Sequence, residues 1–591
     1  MIGAEQAIAA GYAAFQRKDY PAARAALNGV GHVQAIHLLG LVEKGAGNYP
    51  LAAQHLSRAA ALDPDNPEIA NNRGLLARLM GEFAIAEAAF RLALQLKPDF
   101  RSARLSLGQT LKDLGAYETA MDELAILIAN QSEDVAALVA FASAAIEVKE
   151  YETAGKHLDV ALKVNPANVA ARFALGVLQL ETNDIAGAEA IFLALAQDGQ
   201  DGAETQFMLA RVELEKGHIP SARNYAETAY RKAPIDKYFQ LLADIYWMSG
   251  DQPSFDNLTD EALGIPALAI SSIKLVRQSG CQQAALDKLR QLPDATVQSI
   301  AGQSLMSGLL LDLADIQGAI ATGRAAARLD ENKYDHYNLV NALLAAGEAH
   351  EALQLVQRAR RKNPSDQFWL AYEVTTLRLL GDERYSELID YDRHVRTYTL
   401  PTPKGFSSLE HFNNDFLAVL DTLNPFSIHP LNQSLRNGGQ APSNLCSSQN
   451  PVIKAYFEAL DGPIRDYMEQ LGRDAGHPCA VRNTGRYKFS GGWSVRLGSG
   501  GHHVNHVHPR GWISSSYYVS VPTETQSGEG KAGWIKFGEP PIATAPVLRP
   551  EKWIQPRPGL LVLFPSYLWH GTEPIHDGSV RVTAPFDVVP D

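Results

Sequence analysis

His502-His503-Val504-Asn505-His506-Val507-His508-Pro509 places four of the chain's 17 histidines within seven residues. Valine interrupts the run and turn-forming residues crowd both flanks, which predicts a strand rather than a helix. In a strand, alternate side chains share a face. His506 and His508 are therefore expected to point the same way, about one metal site apart. A third histidine lies downstream in Phe564-Pro565-Ser566-Tyr567-Leu568-Trp569-His570-Gly571. Two imidazoles from one strand and one from a later strand can close on a single transition-metal ion. The competing reading is a set of ordinary surface or core histidines. His503 has the opposite parity and His502 lies further out, so these two are expected to line the entrance.

The surrounding sequence predicts the scaffold. Short runs alternate with Gly/Pro punctuation at Trp493–Leu497, Val504–His508, Ile513–Val521, Gly533–Phe537, Leu560–Phe564 and Val580–Val589. Trp493, Trp512, Trp534, Trp553 and Trp569 crowd the same region. This spacing predicts a β-sandwich or barrel. Within the last run, Arg581 and Thr583 share a strand face. An inward-facing arginine is costly unless it meets an anion, and a guanidinium grips a carboxylate through two parallel hydrogen bonds. A structural salt bridge is the alternative. Upstream, helices are expected near Ser408–Leu423 and Pro451–Leu471, with a loop-like stretch from Asn424 to Gln440. Trp512, Trp569 and the Tyr517-Tyr518 pair could shelter the site or serve as barrel core.

Before this region the chain repeats itself. Gly40, Gly74, Gly108 and Gly176 fall on a 34-residue grid whose remaining points are Ala142 and Ala210. A second grid carries Ala52, Ala86, Ala120, Ala154, Ala188 and Ala222. A third carries Pro64, Pro98, Pro166 and Pro234, and a fourth Tyr49, Phe83, Tyr117, Tyr151, Ile185 and Ile219. Small residues are needed where two antiparallel helices approach closely. A proline ends the second helix by removing a donor and clashing with the preceding turn. The aromatic or aliphatic residue at the hairpin packs between the two helices. After Pro234 the grid loosens, with Gly250, Ala319, Ala352, Pro364 and Gly381 as traces of degenerate units. The expected organisation is a helical array over 1–395, a Pro/Gly-rich linker over 396–407, and a second domain over 408–591.

At 591 residues more than one core is expected. The net charge of −13 argues against general nucleic-acid binding, which wants a basic face. Cys281, Cys446 and Cys479 are scattered and odd in number, so no disulfide framework is expected. The start MIGAEQAIAAGYAAFQRKDY lacks a basic region followed by a long apolar run, and no stretch is long enough to span a bilayer. A cytoplasmic location is the resulting expectation. Gly528-Glu529-Gly530-Lys531 lacks the flanking spacing of a phosphate loop.

The four coincident grids resemble the tetratricopeptide repeat. The segments HVNHVHPRGWISSSYYVSVP, RPGLLVLFPSYLWHGTEP and RVTAPFDVVP resemble the Fe(II)- and 2-oxoglutarate-dependent oxygenases. Together the resemblances imply an all-α solenoid followed by a double-stranded β-helix of jelly-roll type with flanking helices. They imply Fe(II) and 2-oxoglutarate as cofactors and hydroxylation of a C–H bond of a protein, peptide or other substrate recruited by the repeats; the charge and the lack of a long apolar run leave neither nucleic acid nor membrane as an expected partner. His506 matches the first metal histidine and His570 the distal one. Arg581 matches the arginine that holds the distal carboxylate of 2-oxoglutarate, with Thr583 and Tyr518 beside it. His508 departs from the pattern, because many relatives carry Asp or Glu there. Three readings follow. The site is a three-histidine centre; or His508 turns away and water, Glu573 or Asp577 completes the shell; or the barrel binds another metal or is inactive. A three-histidine cupin-like dioxygenase or copper site, and an interaction scaffold with a silent barrel, are the alternatives for the whole chain.

Overall fold

The computed structural model describes residues 3–331, 335–424, 428–431, 433–442, 444–527 and 530–591. The chain divides into two compact units, Met1–Gln197 and Asp198–Asp591. Unit one consists of paired helices, from Ala4–Gln16 with Tyr20–Leu27 to Val169–Glu181 with Ile185–Gln197.

Each sequence grid has a visible cause. A Cβ added to Gly40, Gly74, Gly108 or Gly176 would lie 2.6–2.8 Å from the side chain of Leu56, Phe90, Leu124 or Phe192, each on the partner helix. Tyr49, Phe83, Tyr117, Tyr151, Ile185 and Ile219 each begin the second helix of a pair. Those helices stop at Leu62, Leu96, Val164 and Lys232, two residues before the four grid prolines. A fifth grid escaped the sequence reading. Gly47, Gly81, Gly115, Lys149, Asn183 and Gly217 all turn the chain between paired helices with φ between 64° and 79°. Lys149 and Asn183 accept the left-handed conformation that glycine adopts freely, so residue identity alone hid the period.

The paired helices continue into unit two, from Ala203–Glu215 with Ile219–Lys232 to Gln367–Leu380 with Arg384–Leu388. The left-handed turn recurs there at Gly250, Gly280, Ala314, Gly347 and Gly381, so the degenerate units keep the hairpin after losing the sequence grid. These later hairpins share one hydrophobic core with the sheet domain, running from Ala269 through Leu343, Tyr372, Tyr456 and Leu563 to Val588. That shared core is why the divide falls at 197 rather than near 395.

Among the described residues eleven strands follow: β1 Arg396–Thr399, β2 Leu435–Gln440, β3 Tyr487–Gly492, β4 Val495–His503, β5 Ile513–Ser520, β6 Ile535–Phe537, β7 Lys552–Ile554, β8 Leu560–Pro565, β9 His570–Thr572, β10 Arg581–Thr583 and β11 Phe586–Pro590. The larger antiparallel sheet runs β1-β8-β5-β10-β4-β2, with β11 also pairing β5 and β3, and the smaller runs β7-β6-β9. This is the antiparallel double-sheet architecture expected from the sequence. Three local expectations are corrected. The 396–407 segment is no free linker, since β1 pairs residue for residue with β8. The stretch from Asn424 to Gln440 is not all loop, since β2 pairs with β4; residues 425–427 and 432 lie outside the described residues, as do Gly528 and Glu529. The single helix expected over Pro451–Leu471 is two, Pro451–Ala459 and Asp461–Leu471, because Pro463 has no N–H to continue the ladder.

Among the described residues, no helix is long and apolar enough to cross a membrane. The packing at Gly74 gives a direct test. Alanine is normally the better helix former by about 1 kcal/mol, yet the ring of Phe90 is fully buried and has no room to yield. Gly74→Ala is expected to destabilise the protein by about 1–3 kcal/mol, read as an earlier urea midpoint followed by circular dichroism.

Candidate metal centre

The histidine segment does not form the expected strand. β4 ends at His503, and the following amides find partners one at a time: Val504 on the Ser434 carbonyl (2.9 Å), His506 on His570 (2.9 Å), and His508 on Ser566 (3.0 Å). The segment leaves the larger sheet and meets the smaller one. The amide of His570 returns a bond to the His506 carbonyl at 3.1 Å, closing an isolated antiparallel bridge.

The outcome expected from strand parity is reached by another route. The ligand-capable nitrogens of His506, His508 and His570 lie within 4.8 Å of one another. Ring centroids are 4.2 Å apart for His506–His570, 5.1 Å for His508–His570 and 5.2 Å for His506–His508. In His506, Nδ1 lies 2.9 Å from the carbonyl of Val504, and in His570, Nδ1 lies 2.9 Å from that of Leu568. A carbonyl can only accept, so Nδ1 carries the proton and Nε2 keeps its lone pair. His508 meets a carboxylate instead: Nδ1 lies 2.5 Å from Oδ2 of Asp587. Nε2 of His508 and Nε2 of His506 are 3.3 Å apart. His570 is buried, His506 and His508 are half-buried, and 19% of the His508 side chain is exposed.

Electrostatics agrees with this assignment. Burial and then the charge of His508 push His506 down to about 3. Burial, then His506 and His508, hold His570 well below the ordinary imidazole range. For His508 burial acts downward, but the charge and hydrogen bond of Asp587 outweigh it and the net shift is upward. His503 stands next to the cluster rather than in it. Its Nδ1 lies 2.9 Å from Oγ of Ser434, which is also 3.3 Å from Nε2 of His506. Burial, then the charges of His506 and Arg581, hold His503 well below its usual range. His502, whose ring meets the Gly500 carbonyl, takes no part.

Arg581 is 2% exposed and donates from Nη1 to the carbonyl of Gly533 at 2.8 Å. Its Nε is buried without a partner, as is the hydroxyl of Tyr518, whose ring lies 5.8 Å from the guanidinium. Among the described residues no carboxylate pairs with Arg581, so the salt-bridge alternative is not met. Thr583 is buried on the same strand and stands opposite Tyr518 in the β10–β5 register. The loop carboxylates are committed elsewhere. Glu573 meets Nε1 of Trp553 and Nζ of Lys536, and Asp577 accepts from Ser579 and Glu524. The aromatic shelter is also different. Trp512 donates to Cys479, Trp569 to Thr375 and Tyr517 to Asn413, so these three serve the core. Trp493 faces His508, and Phe564 packs on His570. Asp587, Ser434 and the Gly533 carbonyl were missed from sequence. Only Asp587 left a signal, an acid inside the apolar run Phe586-Asp587-Val588-Val589.

Comparison with known families agrees with the geometry. The model described as "Putative 2OG-Fe(II) oxygenase" matches residues 491–587, and tetratricopeptide-repeat models match 37–99, 80–135 and 145–212. The chain thus carries a stretch similar to tetratricopeptide repeats ahead of a stretch matched by the putative 2OG-Fe(II) oxygenase model. Similar solved structures include a thermophilic repeat protein of Thermus thermophilus, 22% identical, covering 30% of this chain and 98% of its own (TM-score 0.28). A tetratricopeptide repeat protein from Parabacteroides merdae is 17% identical, covering 47% and 98% (TM-score 0.28). No curated protein matches the chain.

A separate pair of histidines is packed against Tyr567. Tyr567 donates to the Leu388 carbonyl (2.6 Å), and its hydroxyl is 3.4 Å from Nε2 of His477. The His477 ring lies 4.7 Å from that of His394. Burial, then His477 and Arg393, push His394 down to about 4. The unfolded chain takes up a proton near pH 6.5 that the fold refuses. Stability is therefore complete above that pH and is lost as pH falls toward 4, by about 3 kcal/mol from His394. Urea midpoints are expected to fall over this window, and His394→Asn is expected to flatten the fall.

Proposed function

We propose that the protein is an Fe(II)- and 2-oxoglutarate-dependent dioxygenase that hydroxylates a C–H bond of a protein or peptide recruited by the repeat array. His506, His508 and His570 would hold the iron through Nε2. Arg581 would hold the distal carboxylate of 2-oxoglutarate, assisted by Thr583 and Tyr518. The observation that carries the reading is the buried guanidinium of Arg581, which meets no acid among the described residues. Burying an unpaired charge costs several kcal/mol, and an anionic ligand removes that cost. The residues fit both cofactors: three rings with one directed nitrogen each, and an anion site with orphaned Nε and hydroxyl groups.

When bound, the iron and 2-oxoglutarate supply the oxidative chemistry, in which O2 converts 2-oxoglutarate to succinate and CO2 and hydroxylates the substrate. The chain supplies the frame. The carbonyls of Val504 and Leu568 hold two rings in the tautomer that presents Nε2. The planar fork of Arg581 sets the direction of the bound diacid. Trp493, Phe537 and Phe564 border the rings with apolar surface, which limits water. Repeat arrays of this type commonly bind proteins, which supports a protein or peptide as partner. Three free cysteines and the need for reduced iron support a cytoplasmic location, and the net charge of −13 speaks against nucleic acid.

The absence of a carboxylate from the cluster favours a second reading, a three-histidine dioxygenase that does not use 2-oxoglutarate. An anaerobic Fe(II) titration with and without 2-oxoglutarate separates them. The proposal expects a visible charge-transfer band only with both present, and succinate formation on admitting O2. Arg581→Ala is expected to keep the metal and weaken 2-oxoglutarate by about 3 kcal/mol, on the order of 100-fold. His570→Ala is expected to lose the metal. A metal-loaded protein that neither binds nor consumes 2-oxoglutarate supports the second reading, and a protein indifferent to metal supports an interaction scaffold.

A further inference from the structure

We propose that Asp587 is a positioning residue that gives the three-histidine centre the negative charge its own ligands lack. The inference rests on the metal-centre reading above. Three neutral imidazoles contribute no charge, whereas two histidines and a carboxylate contribute one. Among the described residues, no carboxylate belongs to the ligand cluster. Glu573 and Asp577, the acids nearest in sequence to His570, are engaged elsewhere.

Asp587 is the acid that reaches the cluster, and it does so through one ring. It sits on β11 opposite Gly491 of β3 and Ser514 of β5, so its backbone is held from both sides. Its side chain is buried, and Oδ2 receives the His508 Nδ1–H at 2.5 Å. The other oxygen, Oδ1, is buried with no partner. Among the described residues, no lysine or arginine pairs with Asp587; its one ionic contact is His508. A buried carboxylate half-satisfied in this way is expensive by itself. A cation on the far nitrogen of the same ring removes most of that expense. The carboxylate in turn draws on the Nδ1 proton and makes Nε2 a stronger electron donor. His506 and His570 lean on neutral carbonyls and gain no such help. Asp587 therefore acts through His508 and does not touch the metal itself.

The test uses the full-length protein and Co(II) as the probe metal. Asp587→Asn keeps the shape and an accepting oxygen but removes the charge. Its Co(II) dissociation constant is expected to rise about 10–100-fold, with the far-ultraviolet circular dichroism unchanged. In the anaerobic Fe(II)–2-oxoglutarate complex the charge-transfer band is expected to move to shorter wavelength, because a weaker donor leaves iron less electron-rich. A purely structural aspartate would not move that band. The wild-type protein gives an independent readout if the variant does not fold. With Zn(II) bound and histidines isotopically labelled, the Hδ1 resonance of His508 is expected further downfield than those of His506 and His570. Co(II) affinity within twofold of wild type with an unmoved band overturns the inference, as does a His508 resonance level with the other two. A wild-type protein that takes up no Co(II), or a His570→Ala variant that binds it unchanged, overturns the metal centre itself and this inference with it.

Discussion

Two backbone hydrogen bonds between His506 and His570 hold the candidate centre together. They are the point where the chain leaving β4 of the larger sheet meets the start of β9 in the smaller one, and they set two imidazoles 4.2 Å apart. Neither ring depends on a side-chain partner for its tautomer, because each Nδ1 meets the carbonyl two residues back in its own chain. Orientation, protonation and spacing thus follow from main-chain geometry, which packing fixes far more tightly than a loop could. The third ring is different. His508 depends on a side chain from a distant strand, and the charge of the cluster depends on that side chain too.

The repeat array was legible because its constraint is local and recurrent. A Cβ cannot fit where Phe90 or Leu124 crosses the partner helix, so small residues recur every 34 positions and announce the period. The left-handed turn recurs as faithfully but tolerates Lys149, Asn183 and Ala314, and residue identity conceals it. The three ligand candidates and Arg581 were legible from composition and strand parity, although the parity argument reached His506 and His508 by a strand that does not form. A one-sided run of amides between two sheets looks the same in sequence as a paired strand. Asp587 was passed over because nothing local distinguishes an inward acid on a central strand from an outward one. Only the partner, 79 residues away on His508, does so.

Two ionised groups stand out against the rest of the sheet domain. Among the described residues, Arg581 is buried without an acid and Asp587 without a lysine or arginine. They do not neutralise each other, since neither pairs with the other. Folding would be easier with apolar residues at both positions. Asp587 meets the histidine cluster through His508, and Arg581 lies on β10 beside Tyr518, so both exceptions fall in the sheet domain that carries the cluster. Violations of local rules of this kind collect where function is. Other ionised side chains of unit two are paired: Arg378 with Glu551, and Lys552 with exposed Asp392.

The last helices of unit two bear on the site more directly than a tether would. Helix Gln367–Leu380 accepts the Trp569 indole on Thr375 and packs Tyr372 against the same ring at 5.5 Å. At its first residue, the amide of Gln367 bonds the carbonyl of Pro509 at 3.3 Å. Trp569 precedes His570 and Pro509 follows His508, so one helix grips the chain next to two of the three rings. A tether joined by a flexible linker would leave the sheet domain with its own closed core. Here the core is shared, and removing the hairpin would uncover Trp569 and strip the support from both histidine segments. The helical repeats of unit two and the sheet domain that carries the histidine cluster are therefore one folded object. A displacement of this helix has only a single residue to cross before it reaches a candidate ligand.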